Sequence, residues 1–292
     1  MSVESTDRSQ PDAKFIPPSN RYVPYENQDI DASPDLVSDS GLIFPGDRLN
    51  HLSKLQRESA KSATIDRNRM EVADAHVIIQ SRSFVKTDCS DDIVRIFESG
   101  KGQYTIFLGD FTCSPGMKKL ATTLINSQID RHMRENESPE KILNELNFDL
   151  HVYGSAIDYM TGVIILLDSR KRRMIYSVAG HQPPLHLRWR GNTWKELPGI
   201  GIPLGVRRDE TYTAFSFRFD SGDKILLISD GFNKIRESGR RFMRSTDAIK
   251  KLVEIPSDAA PFELMEGLED IVDASLNGRS ALDETTAALI QI

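Results

Sequence analysis

Three aspartates lie at the ends of short apolar runs, where a carboxylate could do chemistry. Asp110 follows one such run, Asp230 follows a second and is itself followed by Gly231, and Asp283 precedes a third. Short apolar runs bounded by turn residues are typical of buried strands. Carboxylates at strand ends could therefore converge on hard metal ions, which prefer oxygen ligands. The alternative is that these aspartates cap backbone donors in turns.

The elements that must position these residues can be outlined from periodicity and turn signals. Strands are predicted over 75–85, 93–97, 104–108, 153–159, 162–168, 173–178, 185–189, 212–219, 225–228 and 286–292, the stretch 185–189 resuming the strand before it. Helices are predicted over 46–72, 117–135 and 245–277. Another helix is predicted to start at Ser138, with a proline in its first turn. Many antiparallel strands with helical blocks between them predict an α+β layered sandwich.

Five segments occur in an order that resembles a known family. They are LGD (108–110), YSVAGHQPP (176–184), GIPLG (201–205), GDKILLISDG (222–231) and DETT (283–286). Each alone is common, but together they resemble the signature of the SpoIIE-type bacterial serine/threonine phosphatases of the metal-dependent protein phosphatase 2C (PPM) family. The resemblance covers about 74–292 and implies a four-layer αββα sandwich of two mostly antiparallel sheets flanked by helices.

The resemblance also implies a metal centre of two Mn²⁺ or Mg²⁺ ions in a cleft at the sheet edges. Asp110 would bridge the two ions, and the carbonyl of Phe111 would add one more oxygen. Asp230 and Asp283 would complete the far metal, and Asp88 would be the acidic ligand of the first site strand. The catalytic role of Asp110, Asp230 and Asp283 would be exerted through metal-activated water.

The activity implied by the resemblance is hydrolysis of phosphoserine or phosphothreonine on a protein. A phosphate monoester dianion repels nucleophiles, so two dications that neutralise it and activate water suit this chemistry. The implied substrate is a phosphorylated anti-sigma-factor antagonist or another bacterial regulatory protein. The alternative is a phosphatase-fold protein with little or no activity that docks a partner in signalling.

This chain departs from the family pattern beside two of the site residues. Asp88 follows Lys86 and Thr87 where the family has glycines, so an acidic turn residue remains an alternative for Asp88. After Asp110 the loop 112–116 contains Cys113 and Pro115 where a glycine-rich helix entry is usual. Cys113 reduces the backbone freedom beside the metals, which predicts a loop held in a suboptimal pose.

His181 lies in the segment 176–184 and is a candidate of another kind. In the family this segment shapes the sheet rather than holding metal. We therefore expect a structural hydrogen-bonding role for His181, with no part in metal binding or catalysis.

Three regions are predicted along the chain. Residues 1–44 are rich in Ser, Pro, Asp and Asn and are expected to be a disordered tail. Residues 45–73 are expected to form a helix that could be regulatory and could support a homodimer through 46–72. Residues 74–292 are expected to form the SpoIIE-like phosphatase domain.

Composition excludes several classes of protein. The net charge of −6 and the pI of about 5.6 disfavour nucleic acid as a partner. No apolar run approaches the roughly 20 residues of a membrane span. The two cysteines, with no metal-type spacing, and the absence of a signal-peptide pattern predict a cytoplasmic protein.

Overall fold

The computed structural model describes residues 23–24, 69–73, 77–85, 91–114, 116–135, 138–152, 157–191, 194–234, 255–276 and 284–292. These residues form two six-stranded antiparallel sheets that pack face to face, with helices on the two outer faces. This arrangement confirms the predicted four-layer αββα sandwich.

The first sheet contains the longest strands of the molecule. Its strands are β1 (Val23–Pro24), β4 (Asp92–Gly100), β5 (Gln103–Thr112), β6 (Tyr159–Asp168), β7 (Arg173–Ala179) and β10 (Ala214–Arg218). They are ordered β1-β10-β7-β6-β5-β4. β5 and β6 pair along their whole length, from Gln103–Asp168 to Thr112–Tyr159. This long ladder makes β5 a rigid support for residues near its end.

The second sheet places a fully buried strand at its centre. Its strands are β2 (Arg69–Ala73), β3 (Ile78–Val85), β8 (Leu185–Leu187), β9 (Trp194–Glu196), β11 (Lys224–Ile228) and β12 (Thr285–Gln291). They are ordered β2-β3-β12-β11-β8-β9. Every residue of β11 is buried, as expected for a central strand covered on both faces.

Four helices complete the described residues. They are α1 (Lys118–Glu135), α2 (Pro139–Val152), the short α3 (Gly231–Lys234) and α4 (Pro261–Leu276). The apolar faces of α1 and α2 cover the first sheet, and α4 covers the second. None of these helices is long and apolar enough to cross a membrane.

Alternation along β5 shows how one sequence supplies two cores. Ile106 and Leu108 point between the sheets, whereas Phe107 and Phe111 point to the helices α1 and α2. Successive side chains of a strand face opposite sides, so a strand buried on both sides reads as a continuous apolar run. By the same alternation, Asp110 lies on the side of β5 that faces the second sheet.

The structure corrects the predicted helix 46–72 at its end. Arg69–Ala73 form β2, which pairs antiparallel with β3, and Val72 packs against the core between the sheets. Pairing with β3 satisfies the backbone groups that a helix would have satisfied internally. Within the predicted disordered tail 1–44, Val23–Pro24 form β1 and pair with β10, which corrects the prediction at these two residues. The rest of 1–44 and residues 46–68 lie outside the described residues, so the remainder of the tail and the homodimer stay predictions.

Two strand predictions are also corrected. The strand predicted over 153–159 is wrong at 157–158, which belong to no strand. α2 runs to Val152, and a single strand, β6, runs without interruption from Tyr159 to Asp168. The strand predicted to resume at Leu185 does not return to its own sheet. β8 pairs with β11 in the second sheet, because Gly180, with φ of 64°, and the two following prolines turn the chain across the sandwich.

Candidate metal centre

Asp110 and Asp230 lie at strand ends in different sheets. Asp110 is the third residue from the end of β5, and its neighbours across the ladder are Asp92 on β4 and Thr161 on β6. Asp230 follows β11 and Ser229, and the backbone amide of Asn233 donates to its carbonyl at 2.8 Å. Both aspartates are half-buried. The two motif aspartates thus stand on rigid supports contributed by separate sheets.

Ser229 and Thr286 join the ends of β11 and β12, two neighbouring strands of the second sheet, beside Asp230. The Ser229 amide donates to the Thr286 carbonyl at 2.9 Å, and the Thr286 amide donates to Ser229 Oγ at 3.0 Å. Asp92, which belongs to the first sheet, also hydrogen-bonds with the side chains of Thr286 and Ser229 in the second. Asp92 therefore ties the ends of the two sheets together at the position opposite Asp110.

The charge around Asp92 shows that the carboxylates of this region are crowded. Burial raises the pKa of Asp92 to about 8. The hydrogen bonds with Thr286 and Ser229 oppose this rise, whereas the negative charges of Asp110 and Glu284 add to it. Carboxylates of both sheets are thus close enough to repel one another.

Two glycines allow the close approach of backbone at this edge. A Cβ on Gly231 would collide with the carbonyl of Glu284, and a Cβ on Gly109 would collide with the carbonyl of Thr161. Gly231 thereby holds the turn after Asp230 directly against the start of β12. Glu284 is the first described residue before β12.

Two lysines lie at the rim of the acidic region. Lys234 Nζ is 2.9 Å from Oδ2 of Asp230, one turn along α3, and Lys118 Nζ is 2.9 Å from Oδ2 of Asp91. Both pairs are partly exposed to solvent, so each contributes little to stability. The Lys234 pair shows that Asp230 already attracts a cationic group from its own chain.

His181 makes the structural contact expected of it. Its Nδ1 is 3.0 Å from Oγ1 of Thr161 on β6, and the backbone of Ile228 on β11 lies beside the ring. Burial lowers the pKa of His181 to about 4, an effect only partly offset by the Ile228 carbonyl. A neutral imidazole therefore lies between β6 of the first sheet and β11 of the second, close to the strand ends that carry Asp110 and Asp230.

The structure describes three of the five predicted metal ligands. Asp110 and Asp230 lie at the region where the sheets meet. Phe111 has its side chain buried on the helix side, which leaves only its backbone for a ligand role. Asp88 and Asp283 lie outside the described residues. Among the described residues, no three His, Cys, Asp or Glu side chains lie close enough together to hold a metal ion.

The residues present nevertheless fit hard divalent ions. The donor set consists of carboxylate oxygens, which Mn²⁺ and Mg²⁺ prefer. Burial is the main cause of the raised pKa of Asp92, and the negative charges of Asp110 and Glu284, which add to it, are the condition that a nearby dication relieves. Asp92 and Glu284 could not be found from the sequence. The motifs that contain Asp110 and Asp230 mark the ends of strands but do not show which residues face those ends.

The fold and the strand-end aspartates define a phosphatase 2C-like protein, and comparison with known proteins gives the family. The family model of Stage II sporulation protein E (SpoIIE) matches residues 100–292, more than half of the chain. The chain belongs to the SpoIIE family.

Individual relatives agree with this assignment. The chain is 27% identical over 152 residues to the phosphoserine phosphatase RsbU of Bacillus subtilis, a match that covers 52% of this chain and 44% of RsbU. The chain thus spans less than half the length of that relative. The fold is similar to the SiaA-PP2C domain of Pseudomonas aeruginosa, with a TM-score of 0.63 and 20% identity over 85% of this chain and 96% of that one. It is also similar to RsbX in complex with magnesium, with a TM-score of 0.58 and 14% identity over 76% of this chain and 98% of that one.

Proposed function

We propose that this protein is a metal-dependent serine/threonine protein phosphatase. The observation that carries the proposal is the convergence of carboxylates from two sheets, in which Asp92 lies opposite Asp110 and contacts Ser229, the neighbour of Asp230. Membership of the SpoIIE family and similarity to a phosphoserine phosphatase support the same reaction class.

Asp110 and Asp230, with Asp88, Asp283 and the carbonyl of Phe111, would hold two Mn²⁺ or Mg²⁺ ions. When bound, such ions neutralise a phosphate dianion and lower the pKa of water, so that hydrolysis becomes accessible at neutral pH. The chain's own part is to hold the carboxylates at fixed positions. The β5–β6 ladder fixes Asp110, and the contact of Gly231 with Glu284 fixes the turn after Asp230.

We propose a phosphorylated anti-sigma-factor antagonist as the substrate, in a cytoplasmic signalling pathway. Support comes from the similarity to RsbU and from the family resemblance of the motifs. The second candidate function is a docking module with little or no activity. The observation that favours it is Cys113 in the loop after Asp110, where the family pattern has a more flexible helix entry.

Replacement of the two described aspartates tests the proposal. We expect Asp110→Asn and Asp230→Asn each to reduce Mn²⁺-dependent hydrolysis of an aryl phosphate by at least about 100-fold, since even outer-shell partners of a metal cost 10- to 100-fold. Both variants should stay folded by circular dichroism, because the substitution removes charge and not volume. Asp273→Asn, which changes an exposed carboxylate on α4, is the matched control. Turnover at the wild-type rate in either site variant, at limiting Mn²⁺, would exclude the dimetal mechanism.

A further inference from the structure

An exposed apolar surface lies beside the candidate metal centre. Four large apolar side chains form it: Phe148 and Val152 on α2, Tyr159 at the start of β6, and Val206 in the loop between β9 and β10. Their exposed fractions are 46%, 64%, 40% and 50%. We call this surface the α2–β6 patch. Among the described residues, only three other large apolar side chains are this exposed.

The backbone that carries Tyr159 and Val206 of the α2–β6 patch lies close to Asp110. Gly205, next to Val206, lies against Leu150 of α2 and the backbone of Tyr159. Tyr159 pairs with Thr112 in the β5–β6 ladder, one strand across and two residues along from Asp110. Strand spacing and rise place the backbone of Tyr159 within roughly 10 Å of that of Asp110. A protein that presents a phosphorylated side chain to Asp110 would therefore cover this surface.

The patch is held in shape by a buried polar residue. Asn147 is almost fully buried on α2, and its amide donates to the carbonyls of Arg207 at 2.8 Å and Arg208 at 3.1 Å. Its Oδ1 accepts from the Gly205 amide at 2.8 Å. A buried amide with three hydrogen bonds to one loop fixes that loop rigidly. Exposed apolar groups on a preorganised support are typical of binding surfaces.

Charge indicates what kind of partner fits. Arg207 and Arg208 are both exposed, and no described carboxylate forms an ion pair with either. The Arg208 guanidinium lies over the Phe148 ring at 5.8 Å, which orients it on the apolar surface. Asp158 and Asp209 are also exposed at this edge, so the rim of the patch carries charges of both signs. The charged group directly beside Phe148 is the cationic Arg208. An arginine stacked on an aromatic ring next to aliphatic groups is the composition of an interface hot spot.

We propose that the α2–β6 patch is the docking surface for the phosphoprotein substrate. The partner is a folded protein that presents its phosphorylated residue beside an apolar face with at least one acidic side chain, which pairs with Arg208. This inference rests on the proposed phosphatase function and adds to it the surface that selects the protein. The candidate metal centre would supply hydrolysis of the phosphate ester, and the patch determines which protein brings that ester there.

The test compares a small and a large substrate on the full chain. The variants are Phe148→Ala/Val152→Ala and Arg208→Glu, and the matched control is Phe262→Ala, a phenylalanine of similar exposure on α4. The substrates are an aryl phosphate and a purified phosphorylated anti-sigma-factor antagonist. We expect KM and Kd for the phosphoprotein to rise about tenfold in both variants, since hot-spot residues carry effects of this size. The kcat/KM for the aryl phosphate should stay within about twofold of wild type.

Several results would overturn the proposal. An unchanged KM and Kd for the phosphoprotein in both variants would show that the substrate docks elsewhere. An equal loss with both substrates would place the residues in the fold or the site and not in docking. A change from dimer to monomer in the variants, measured by sedimentation, would assign the patch to a second copy of the chain.

The proposed function can fail separately from the docking surface. If wild-type protein hydrolyses neither substrate with Mn²⁺, the phosphatase proposal fails while the binding titration still decides the docking question. A tenfold weaker Kd in the variants would then support a docking surface on a protein without activity. The absence of binding by wild type would overturn the surface as a site for this partner.

Discussion

At the scale of single residues, His181 shows how burial connects one side chain to the stability of the sandwich. Its folded pKa of about 4 lies below its ordinary value of 6.5. Above pH 6.5 the imidazole is neutral in both the folded and the unfolded chain. Between pH 6.5 and 4 the unfolded chain takes up a proton that the folded protein refuses, so the free energy of unfolding falls as the pH falls.

Replacement of His181 should remove this part of the acid sensitivity. Between pH 7.5 and 4.5 the wild-type protein is expected to lose about 2 to 3 kcal/mol more than His181→Gln, because the glutamine cannot be protonated. Urea unfolding at the two pH values measures the difference. The control is His151→Gln, which replaces an exposed histidine on α2. Equal pH dependence in wild type and His181→Gln would contradict the burial of a neutral imidazole.

Single residues also show where sequence reasoning stops. Asp110 and Asp230 could be predicted because each follows an apolar run in a recognisable motif. Asp92 and Glu284 could not, since their role depends on what faces them. The position of Asp92 opposite Asp110 is set by the β4–β5 register, and its contact with Ser229 is set by how the two sheets pack.

At the scale of elements, the loop between β5 and α1 is the part of the site most altered from the family pattern. Cys113 is half-buried and packs against the apolar cluster beneath α1 and α2. Gly116 takes a left-handed conformation with φ of 87°, and the Met117 amide donates to the Ser114 carbonyl at 3.1 Å. The backbone freedom is thus found at Gly116, three residues beyond Cys113.

Glycine in place of Cys113 and Pro115 should raise basal turnover. We expect Cys113→Gly/Pro115→Gly to hydrolyse an aryl phosphate several-fold faster, because the backbone beside Asp110 gains conformational freedom. Affinity for Mn²⁺ should change little, since Asp110 and Asp230 are untouched. The melting temperature should fall by a few degrees, because the Cys113 side chain loses its packing.

The control for the loop is Cys113→Ala/Pro115→Ala. It removes the same side chains without allowing left-handed backbone conformations, and its turnover should stay near wild type. A double glycine variant that binds Mn²⁺ normally yet remains inert would refute the restraint by the loop. That result would favour the docking module over the enzyme.

Elements with strong periodicity were predictable, and their connections were not. The helix predicted over 117–135 is observed as α1, because its apolar residues recur on one face. The passage of the chain from β7 to β8 depends on the conformation of Gly180 and on packing against Pro203. Apolar runs look alike in either sheet, so the sequence could not indicate that β8 belongs to the second one.

At the scale of the whole molecule, the candidate site joins two sheets that otherwise meet through apolar packing. Asp110 is fixed by the first sheet, and Asp230 is fixed by the second. The layered fold could be predicted because five motifs occur in order and because strands and helices alternate in blocks. The distance between the two sheets at the site could not be predicted, since it depends on His181, Asp92 and the side chains between them.

Mn²⁺ should therefore stabilise the entire sandwich. An ion held by carboxylates of both sheets binds only the folded protein, and at 100 times its Kd it adds about 2.7 kcal/mol to the free energy of unfolding. For a protein of this size we expect the melting temperature to rise by roughly 5–10 °C. Differential scanning fluorimetry with and without a chelator measures this shift without any turnover. Asp110→Asn should lose most of the rise, whereas Asp273→Asn should keep it. If millimolar Mn²⁺ leaves the wild-type melting temperature unchanged, the carboxylates do not form a metal centre, and the docking function, which needs no metal, becomes the better account of the fold.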